Sequence, residues 1–138
     1  MTTDHDADIA LVRSAFAAFN ESDLDATIGF LAEDFAINIA GMPHQERGHE
    51  AWSRNFAMMH AAFPGIQAHI EDIFASGDKV TVRLTFTGTH QGEFLGMEPT
   101  GRDIEYKSIE IYRIEDGLLA EEWICSDGLT MMRQLTAA

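Results

Sequence analysis

The second half of the chain contains four strand-like segments with no helical pattern between them. They span residues 66–75, 79–90, 102–114 and 118–127. Each is rich in the β-branched and aromatic residues that favour strands, and the breaks between them contain the Gly, Pro, Asp and Ser residues typical of turns. Consecutive strands joined in this way pair as antiparallel neighbours. The sequence therefore predicts an antiparallel sheet as the main element of the fold.

Helical patterns precede these strands. Apolar residues recur at spacings of three and four over residues 8–19, 24–31 and 49–63, which predicts three helices, and Pro64 ends the third. Residues 35–39 are predicted as a short strand. Because helices and strands are segregated along the chain, the fold class is predicted as α+β, with the three helices packed in a curled sheet. Such a sheet leaves a cone-shaped internal cavity, where we expect the functional site.

The charge of the chain argues against two classes of partner. Its 138 residues include 23 acidic and 9 basic side chains, a formal net charge of −14. This charge repels the phosphates of nucleic acids and anionic lipids at long range. No apolar run reaches the roughly 18 residues of a membrane span. We therefore expect neither nucleic acid nor membrane as a partner, and the length fits one domain over residues 1–138.

The single cysteine, Cys125, bears on the cellular compartment. One cysteine cannot form an internal disulfide, and the acidic first eight residues lack the basic and apolar regions of a secretory signal. We therefore expect a reducing, cytoplasmic environment. Because no histidine is near it in the sequence, Cys125 is interpreted as a buried apolar side chain rather than a nucleophile.

The alternation along the last two predicted strands leaves neither face plainly polar. One face of the strand over residues 102–114 carries Tyr106, Ser108, Glu110 and Tyr112. The other face carries Ile109 and Ile111, and Trp123 of the last strand faces away from Glu122. Helices would cover only one side of this sheet, so we expect a homodimer packed sheet to sheet. The alternative is a monomer with scattered apolar side chains on its surface.

A long loop signature identifies a family resemblance. Residues 88–102 read GTHQGEFLGMEPTGR, which resembles the GTHxGxFxGxxPTGR loop of the SnoaL-like polyketide cyclases in the nuclear transport factor 2-like superfamily. Other family marks extend the resemblance over nearly the whole chain. They are Ala18-Phe19-Asn20, Phe63-Pro64, the run over residues 112–117, Glu122-Trp123 with Asp127, and Arg133-Gln134-Leu135.

The resemblance implies a cone-shaped α+β barrel and a small organic substrate. Its characterised members close a ring in polyketide esters by an intramolecular aldol reaction, using acid/base chemistry without metal or cofactor. Their catalytic aspartate, three residues before the position of Asp127, matches Ile124 here. Their pocket histidine and glutamine match Glu110 and Ser108. Two functions stay open: a cofactor-independent acid/base enzyme of cyclase, isomerase or dehydratase type on a small carbonyl compound, or a catalytically silent small-molecule-binding module.

The acid/base interpretation depends on the register of the last hairpin. With a three-residue turn over residues 115–117, Glu110 lies directly opposite Glu122, and two facing carboxylates would share a proton. One of them would then exchange a proton near neutral pH, as enolisation next to a carbonyl requires. A two-residue turn at Asp116-Gly117 shifts the pairing by one and separates the two glutamates. The alternative is that both face solvent or pair with Arg113, Lys107 or Arg102.

Two further acid/base candidates each have a structural alternative. His90, beside the glycine-rich loop, could orient a carboxylate or polarise a carbonyl, or it could hold the loop by hydrogen bonds. Asp127 precedes Gly128-Leu129-Thr130, so it could act in catalysis or cap a final helical turn. The candidate substrate-binding residues are Asn38, Tyr106, Ser108, Trp123 and Ile124, with His44 as a weaker candidate beside Asn38. The six histidines lack metal-ligand spacing and no nucleotide-binding motif is present, so we expect no metal and no cofactor.

Overall fold

The computed structural model describes residues 4–137, and residues 1–3 and 138 lie outside this range. Its helices are α1 (His5–Asn20), α2 (Leu24–Ile28), α3 (His49–Ala62) and α4 (Gly128–Thr136). Its strands are β1 (Leu31–Ile39), β2 (Glu46–Arg47), β3 (Gln67–Ser76), β4 (Lys79–Thr89), β5 (Asp103–Glu115) and β6 (Leu118–Ser126). None of the described helices is long and apolar enough to cross a membrane.

The strands form one curled six-stranded sheet in the order β2-β1-β6-β5-β4-β3. The predicted antiparallel meander is confirmed for β3 to β6. The sheet as a whole is mixed, because β1 lies parallel to β6. A parallel pair requires a crossover connection, and the chain between β1 and β6 supplies one through α3. The α+β class is therefore confirmed, while the antiparallel barrel is corrected to an open, mixed sheet.

The end of α1 covers the beginning of the open edge at β3. The side-chain amide of Asn20 donates to the carbonyl of Ala68 at 3.0 Å and accepts from its backbone N–H at 2.7 Å. Gln67 adds a hydrogen bond from Nε2 to the carbonyl of Asn20 at 2.9 Å. An edge whose hydrogen-bonding groups are paired in this way is a poor template for further strands. The last residue of the first helix thus fixes the helix against the sheet.

Three predictions about secondary structure need correction. The second helix ends at Ile28, because Leu31 pairs with Leu119 and already belongs to β1. Residues 46–47, for which the sequence predicted no helix or strand, form the short strand β2. The predicted final turn is a nine-residue helix, α4, whose Leu135 is 2% exposed in the core. The structure therefore has four helices rather than three in its described part.

The core lies between the concave face of the sheet and the helices α1 and α3. Along β5 buried and exposed residues alternate, which confirms the predicted two-residue period. Its inward side chains are Ile104, Tyr106, Ser108, Glu110, Tyr112 and Ile114. Phe35 and Phe63 are among the largest fully buried side chains. Two carboxylates and two tyrosines thus occupy a face that otherwise packs as a hydrophobic core.

The loop of the family signature packs against the end of α3. The backbone N–H groups of Gln91 and Gly92 both donate to the carbonyl of Ala62. A Cβ atom at Gly92 would overlap the backbone carbonyl of Ala61. Only glycine permits so close an approach of two backbones. This contact explains why the loop needs glycine there.

Candidate active site

The last hairpin begins with a two-residue turn. Asp116 and Gly117 have φ angles of 52° and 75°, and Glu115 pairs with Leu118 across them. Two consecutive positive φ angles are those of the turn type that joins twisted antiparallel strands most often. The three-residue turn, and with it the directly facing pair of Glu110 and Glu122, is therefore wrong.

A β-bulge just after the turn restores the glutamates to one face. The register shifts between Ile114, which pairs with Leu119, and Arg113, which pairs with Glu121. Ala120 is the extra residue, and it moves the rest of β6 by one position. The separation expected for a two-residue turn therefore does not occur. The sequence carries one trace of the bulge: Leu119 and Ala120 are consecutive apolar residues, and both are buried.

Beyond the bulge, Tyr112 lies opposite Glu122 and Glu110 lies opposite Ile124. Glu110 and Glu122 are therefore diagonal neighbours on the inner face, close enough for their side chains to interact. Each is only 3% exposed. The alternative that they face solvent is thus excluded. Ion pairing is excluded as well, because neither carboxylate forms a salt bridge with any described residue.

The basic residues that could have neutralised this pair are engaged on the other face of the sheet or at the surface. Arg113 pairs with Glu115 at 3.0 Å and with Glu121 at 3.3 Å. The Nζ of Lys107 donates to Thr85 at 2.7 Å. The two buried carboxyl groups thus lie close together without a neighbouring cation. Because two negative charges would repel each other there, ionisation of both groups is unfavourable.

Neutral hydroxyl groups are the partners of Glu110. The Tyr112 hydroxyl donates to Oε1 at 2.6 Å, and the Ser108 hydroxyl donates to Oε2 at 2.8 Å. Ser108 in turn shares a hydrogen bond of 2.9 Å with Ser126. Hydroxyl donors stabilise the ionised form of a carboxylate. Glu110 is therefore the member of the pair that is prepared to carry the negative charge.

The protonation of the pair is unequal. Burial raises the pKa of Glu110, and the hydrogen bonds from Tyr112 and Ser108 oppose this rise. Burial raises the pKa of Glu122 well above its ordinary value, and the negative charge of Glu110 raises it further, against a smaller effect of Tyr112. Two carboxyl groups on the same buried face titrate as one coupled system. Because the rise is larger at Glu122, Glu122 keeps a proton more readily than Glu110, and Glu110 ionises first.

The cavity above these groups has a volume of about 240 Å³. Helix α3 contributes Trp52, Asn55, Phe56 and Met59 to its lining, and α1 contributes Phe16 and Phe19. The sheet contributes Phe86, Tyr106, Ile124 and Ser126 beside the two glutamates and Tyr112. No lysine, arginine or histidine is among the lining residues that the structure describes. The cavity can hold an uncharged molecule above two buried carboxyl groups.

Sequence reasoning missed the contribution of α3 to this cavity. All of its candidates except His44 came from the predicted strands. The signal was present, because Trp52, Phe56 and Met59 recur at spacings of four and three on one helical face. An aromatic face of this kind is equally typical of a closed core, so the pattern alone does not distinguish a lined cavity from a filled one.

The structure brings together five of the residues singled out from the sequence. Tyr106, Glu110, Glu122 and Ile124 line the cavity, and Ser108 lies behind Glu110. Burial raises the pKa of the Tyr106 phenol far above its ordinary value. Tyr106 is thus an uncharged hydrogen-bond donor whose ring also stacks on Phe86 at 5.2 Å between centroids.

Asn38, Trp123 and His44 lie outside the cavity, in a groove on the outer face of the sheet. Side chains alternate along a strand, so the neighbours of the inward Glu122 and Ile124 must point outward. Asn38 donates from Nδ2 to the backbone carbonyl of Glu122 at 2.9 Å. This hydrogen bond links β1 to β6 on the outer face of the sheet, at the residue whose side chain forms part of the inner site.

His90 is completely buried in the signature loop and does not line the cavity. Its Nδ1 accepts a hydrogen bond from the backbone N–H of Thr100 at 3.1 Å and lies 3.0 Å from the hydroxyl of Thr100. The backbone of His90 also exchanges hydrogen bonds with Gly101 and Arg102. This geometry matches the structural alternative, in which the imidazole holds the two ends of the loop together.

Asp127 caps the last helix. Its carboxylate accepts from the backbone N–H of Thr130 at 3.1 Å and from the hydroxyl of Thr130 at 2.6 Å. These hydrogen bonds lower the pKa of the exposed Asp127 carboxyl. The geometry is that of a helix N-cap, so it favours the structural alternative for this residue as well.

Cys125 is exposed on the outer face of the sheet, so the interpretation of it as a buried side chain is wrong. The bulge at Ala120 sets the direction of the following residues, and Cys125 points away from the core with Trp123. Within residues 4–137, no three His, Cys, Asp or Glu side chains are grouped as metal ligands.

The chain is similar to named polyketide cyclases over most of its length. Residues 10–135 match the family model of the SnoaL-like polyketide cyclases. The aklanonic acid methyl ester cyclase DauD of Streptomyces sp. (strain C5) is 31% identical over 131 residues, covering 92% of this chain and 80% of DauD. The aklanonic acid methyl ester cyclase DnrD of Streptomyces peucetius is also 31% identical over 131 residues, covering 92% of this chain and 89% of DnrD.

The fold is shared with a solved structure of similar sequence. TsrD from Streptomyces laurentii superposes with a TM-score of 0.86 at 30% identity, covering 99% of this chain and all of TsrD's. The match to the family model extends over almost every residue that the structure describes, including the signature loop and all six strands. The chain therefore belongs to the SnoaL-like polyketide cyclase family.

Proposed function

We propose that this protein is an acid/base enzyme that closes a ring in an uncharged polyketide ester by an intramolecular aldol reaction. The observation that carries the proposal is the pair of Glu110 and Glu122, both 3% exposed at the floor of an aromatic cavity. Relatives named as aklanonic acid methyl ester cyclases support the reaction class. Proton transfer by these two side chains needs neither a metal nor a cofactor.

The division of labour follows from the unequal protonation of the pair. The Glu110 carboxylate removes a proton from the carbon next to a carbonyl group, which forms an enolate. The enolate carbon attacks a second carbonyl of the same molecule, and the carboxylic acid of Glu122 protonates the oxygen that becomes the alcohol. One C–C bond forms, one C–H proton leaves and one O–H proton is added, so the product is an isomer of the substrate.

The ladder between β5 and β6 explains how this site works with isoleucine at position 124. Glu110 lies directly opposite Ile124, so their Cβ atoms are about 5 Å apart. A carboxylate at position 110 therefore reaches the same part of the cavity as an acid at position 124 would. We infer that the catalytic base of this protein is Glu110 on β5, in place of an acid at position 124 on β6, and that it acts in the same part of the cavity.

The binding-module alternative is less well supported. A site that only binds an apolar molecule gains nothing from two buried carboxyl groups, which cost folding stability. Groups of this kind are retained where activity requires them. Isoleucine at the position of the family's catalytic aspartate is no argument against catalysis, because Glu110 lies directly opposite Ile124.

The test uses aklanonic acid methyl ester, the compound in the names of two relatives. Incubation with the purified protein should give a product of unchanged mass and altered retention time. In ²H₂O, reversible formation of the enolate should exchange the acidic C–H protons of the ester for deuterium. Absence of both isomerisation and enzyme-dependent exchange of the acidic C–H proton would refute the proposal for this substrate class.

The uncharged lining of the cavity predicts discrimination between an ester and the corresponding free acid. A substrate carboxylate would be buried without a cation and next to the Glu110 charge. We expect kcat/KM for the free acid to be lower by about 100-fold or more. The measurement compares both compounds at pH 8, where the free acid is fully ionised. Equal values would contradict a cavity that accepts only uncharged groups.

We also propose that a second copy of this chain covers the outer face of the sheet. Ile109 is 53% exposed there, beside the half-buried Ile111 and Trp123, and Met42 flanks the same groove with 58% exposure. Replacement of Ile109 by lysine at the centre of the patch should raise the dimer dissociation constant about 30-fold or more. Sedimentation velocity over a concentration series measures this constant. Leu129→Lys, an exposed position on α4, is the control, and a monomeric wild type would contradict the proposal.

A further inference from the structure

One tyrosine side chain binds the first glutamate and faces the second. The Tyr112 hydroxyl donates to Oε1 of Glu110 at 2.6 Å, and the cross-strand neighbour of Tyr112 on the same inner face is Glu122. Tyr112 is 7% exposed, and it faces Glu122 directly across the β5–β6 ladder. When Glu122 is protonated and turns towards the phenol oxygen, a hydrogen-bonded chain would run in one direction, from Glu122 to the phenol oxygen and from the phenol hydroxyl to Glu110.

The proposed reaction reverses the protonation of this pair. After ring closure Glu110 has gained a proton and Glu122 has lost one. The enzyme must restore the starting state before the next turnover. Exchange with bulk water is hindered, because both carboxyls are buried beneath the cavity that the product occupies.

We infer that Tyr112 returns the proton from Glu110 to Glu122 after each turnover. The proton of the phenol passes to a Glu122 oxygen, and the phenol oxygen takes the proton from Glu110 in the same step. One O–H bond of Tyr112 breaks while another forms, so the phenol is regenerated and no net charge moves out of the site. This inference rests on the proposed function, since the reset is needed only if both glutamates transfer protons.

The surroundings of Tyr112 favour a proton relay in which no phenolate intermediate forms. Burial raises the pKa of the phenol well above its ordinary value, and the charges of Glu110 and Glu122 raise it further. A separate phenolate is thus too costly, which favours the coupled shift of two protons. The ring is also held in place, because Phe16 packs edge-on against it at 5.9 Å between centroids.

Ser108 provides the matched comparison. It donates to the other oxygen of the same carboxylate at 2.8 Å and is 1% exposed. Its remaining hydrogen bond leads to Ser126 and away from Glu122. Ser108→Ala therefore removes one donor to Glu110, as Tyr112→Phe does, but leaves the connection between the two glutamates intact.

The experiment is a rapid-quench progress curve with aklanonic acid methyl ester in excess. Tyr112→Phe should form about one equivalent of product and then continue at a much slower steady rate, because the reset is impaired far more than the first turnover. Ser108→Ala should give a linear curve, as the wild type does. A Tyr112→Phe variant that is slowed but linear would overturn the inference, since a purely positional role affects the first turnover equally.

Two further outcomes keep the inference separate from the proposed function and from misfolding. If the wild type does not convert the ester, or Glu110→Gln converts it normally, the proposed function fails and the relay with it. If Glu110→Gln is inactive and Tyr112→Phe shows no burst, the relay alone fails. Incorporation of 3-fluorotyrosine at position 112 keeps a hydroxyl and should restore the linear curve, whereas a variant damaged by misfolding would not recover in this way.

Discussion

Replacement of Glu110 by glutamine is expected to lower kcat for ring closure by about 10²- to 10⁴-fold. The amide has nearly the same shape as the carboxylate, but it cannot accept a proton from a C–H group. The same substitution should change the affinity for the product by less than about 3-fold, because the base acts in the transition state rather than in binding. Steady-state kinetics and product binding by intrinsic tryptophan fluorescence measure the two quantities, with Trp52 in the cavity lining.

The matched control is Glu105→Gln on the same strand. Glu105 is exposed and points away from the cavity, so its loss removes a negative charge of the chain without touching the site. Its kcat should equal that of the wild type. If Glu110→Gln keeps more than about a tenth of the wild-type kcat, a general base at this position is ruled out.

The inner face of β5 could be predicted from the sequence because a strand has a strict two-residue period. Once residues 102–114 were identified as a strand, Tyr106, Ser108, Glu110 and Tyr112 had to share a face. That this face points inward was also predictable, because the apolar residues Ile104 and Ile114 lie on it. Local geometry therefore suffices for half of the candidate site.

The position of Glu122 could not be predicted in the same way, because it depends on two irregularities that offset each other. The two-residue turn at Asp116-Gly117 alone would point Glu122 outward, and the bulge at Ala120 turns it back. A bulge is decided by packing of the whole sheet, and the sequence signals it only through the adjacent apolar residues Leu119 and Ala120. A register error of one residue moves every side chain of a strand to the opposite face of the sheet. The two glutamates could therefore be proposed as a pair, but their relative position could not be predicted.

The lining from α3 and the parallel pairing of β1 needed the tertiary structure. The period of residues 49–63 predicts a helix with one apolar face, but it does not say whether that face fills a core or borders a cavity. Likewise, nothing within residues 31–39 indicates that their strand returns beside β6. The β1–β6 pairing joins residues about 85 positions apart in the chain, where short-range patterns carry no information.

Replacement of Glu122 by glutamine is expected to reduce activity and to stabilise the fold at the same time. Without the acid, kcat should fall by about 10²-fold or more, since the forming alkoxide loses its proton donor. At pH 8 the free energy of unfolding should rise by about 1–2 kcal/mol, as is typical when a strained functional group is removed. Few substitutions in a folded domain have both effects, so the combination is a specific signature of this site.

The pH dependence gives the sign of the stability change. Burial raises the pKa of Glu122 in the folded state above its value in the unfolded chain. The folded protein therefore binds this proton more tightly, and its stability falls as pH rises above the ordinary carboxyl pKa, about 4.3, towards the raised value. Below that range the glutamate is neutral in both states. The difference between Glu122→Gln and the wild type should accordingly be small near pH 4 and grow towards pH 8.

Urea unfolding of both proteins between pH 4 and pH 8 measures this difference. Glu121→Gln is the control, because Glu121 lies one residue away on the outer face and pairs with Arg113 at 3.3 Å. That variant loses a carboxylate stabilised by a cation, so its stability relative to the wild type should not improve as pH rises. A Glu122→Gln variant whose difference from the wild type stays constant over this range would mean that Glu122 is not a buried proton carrier. In that case the cavity would hold only one functional carboxylate, and the aldol mechanism would lack its acid.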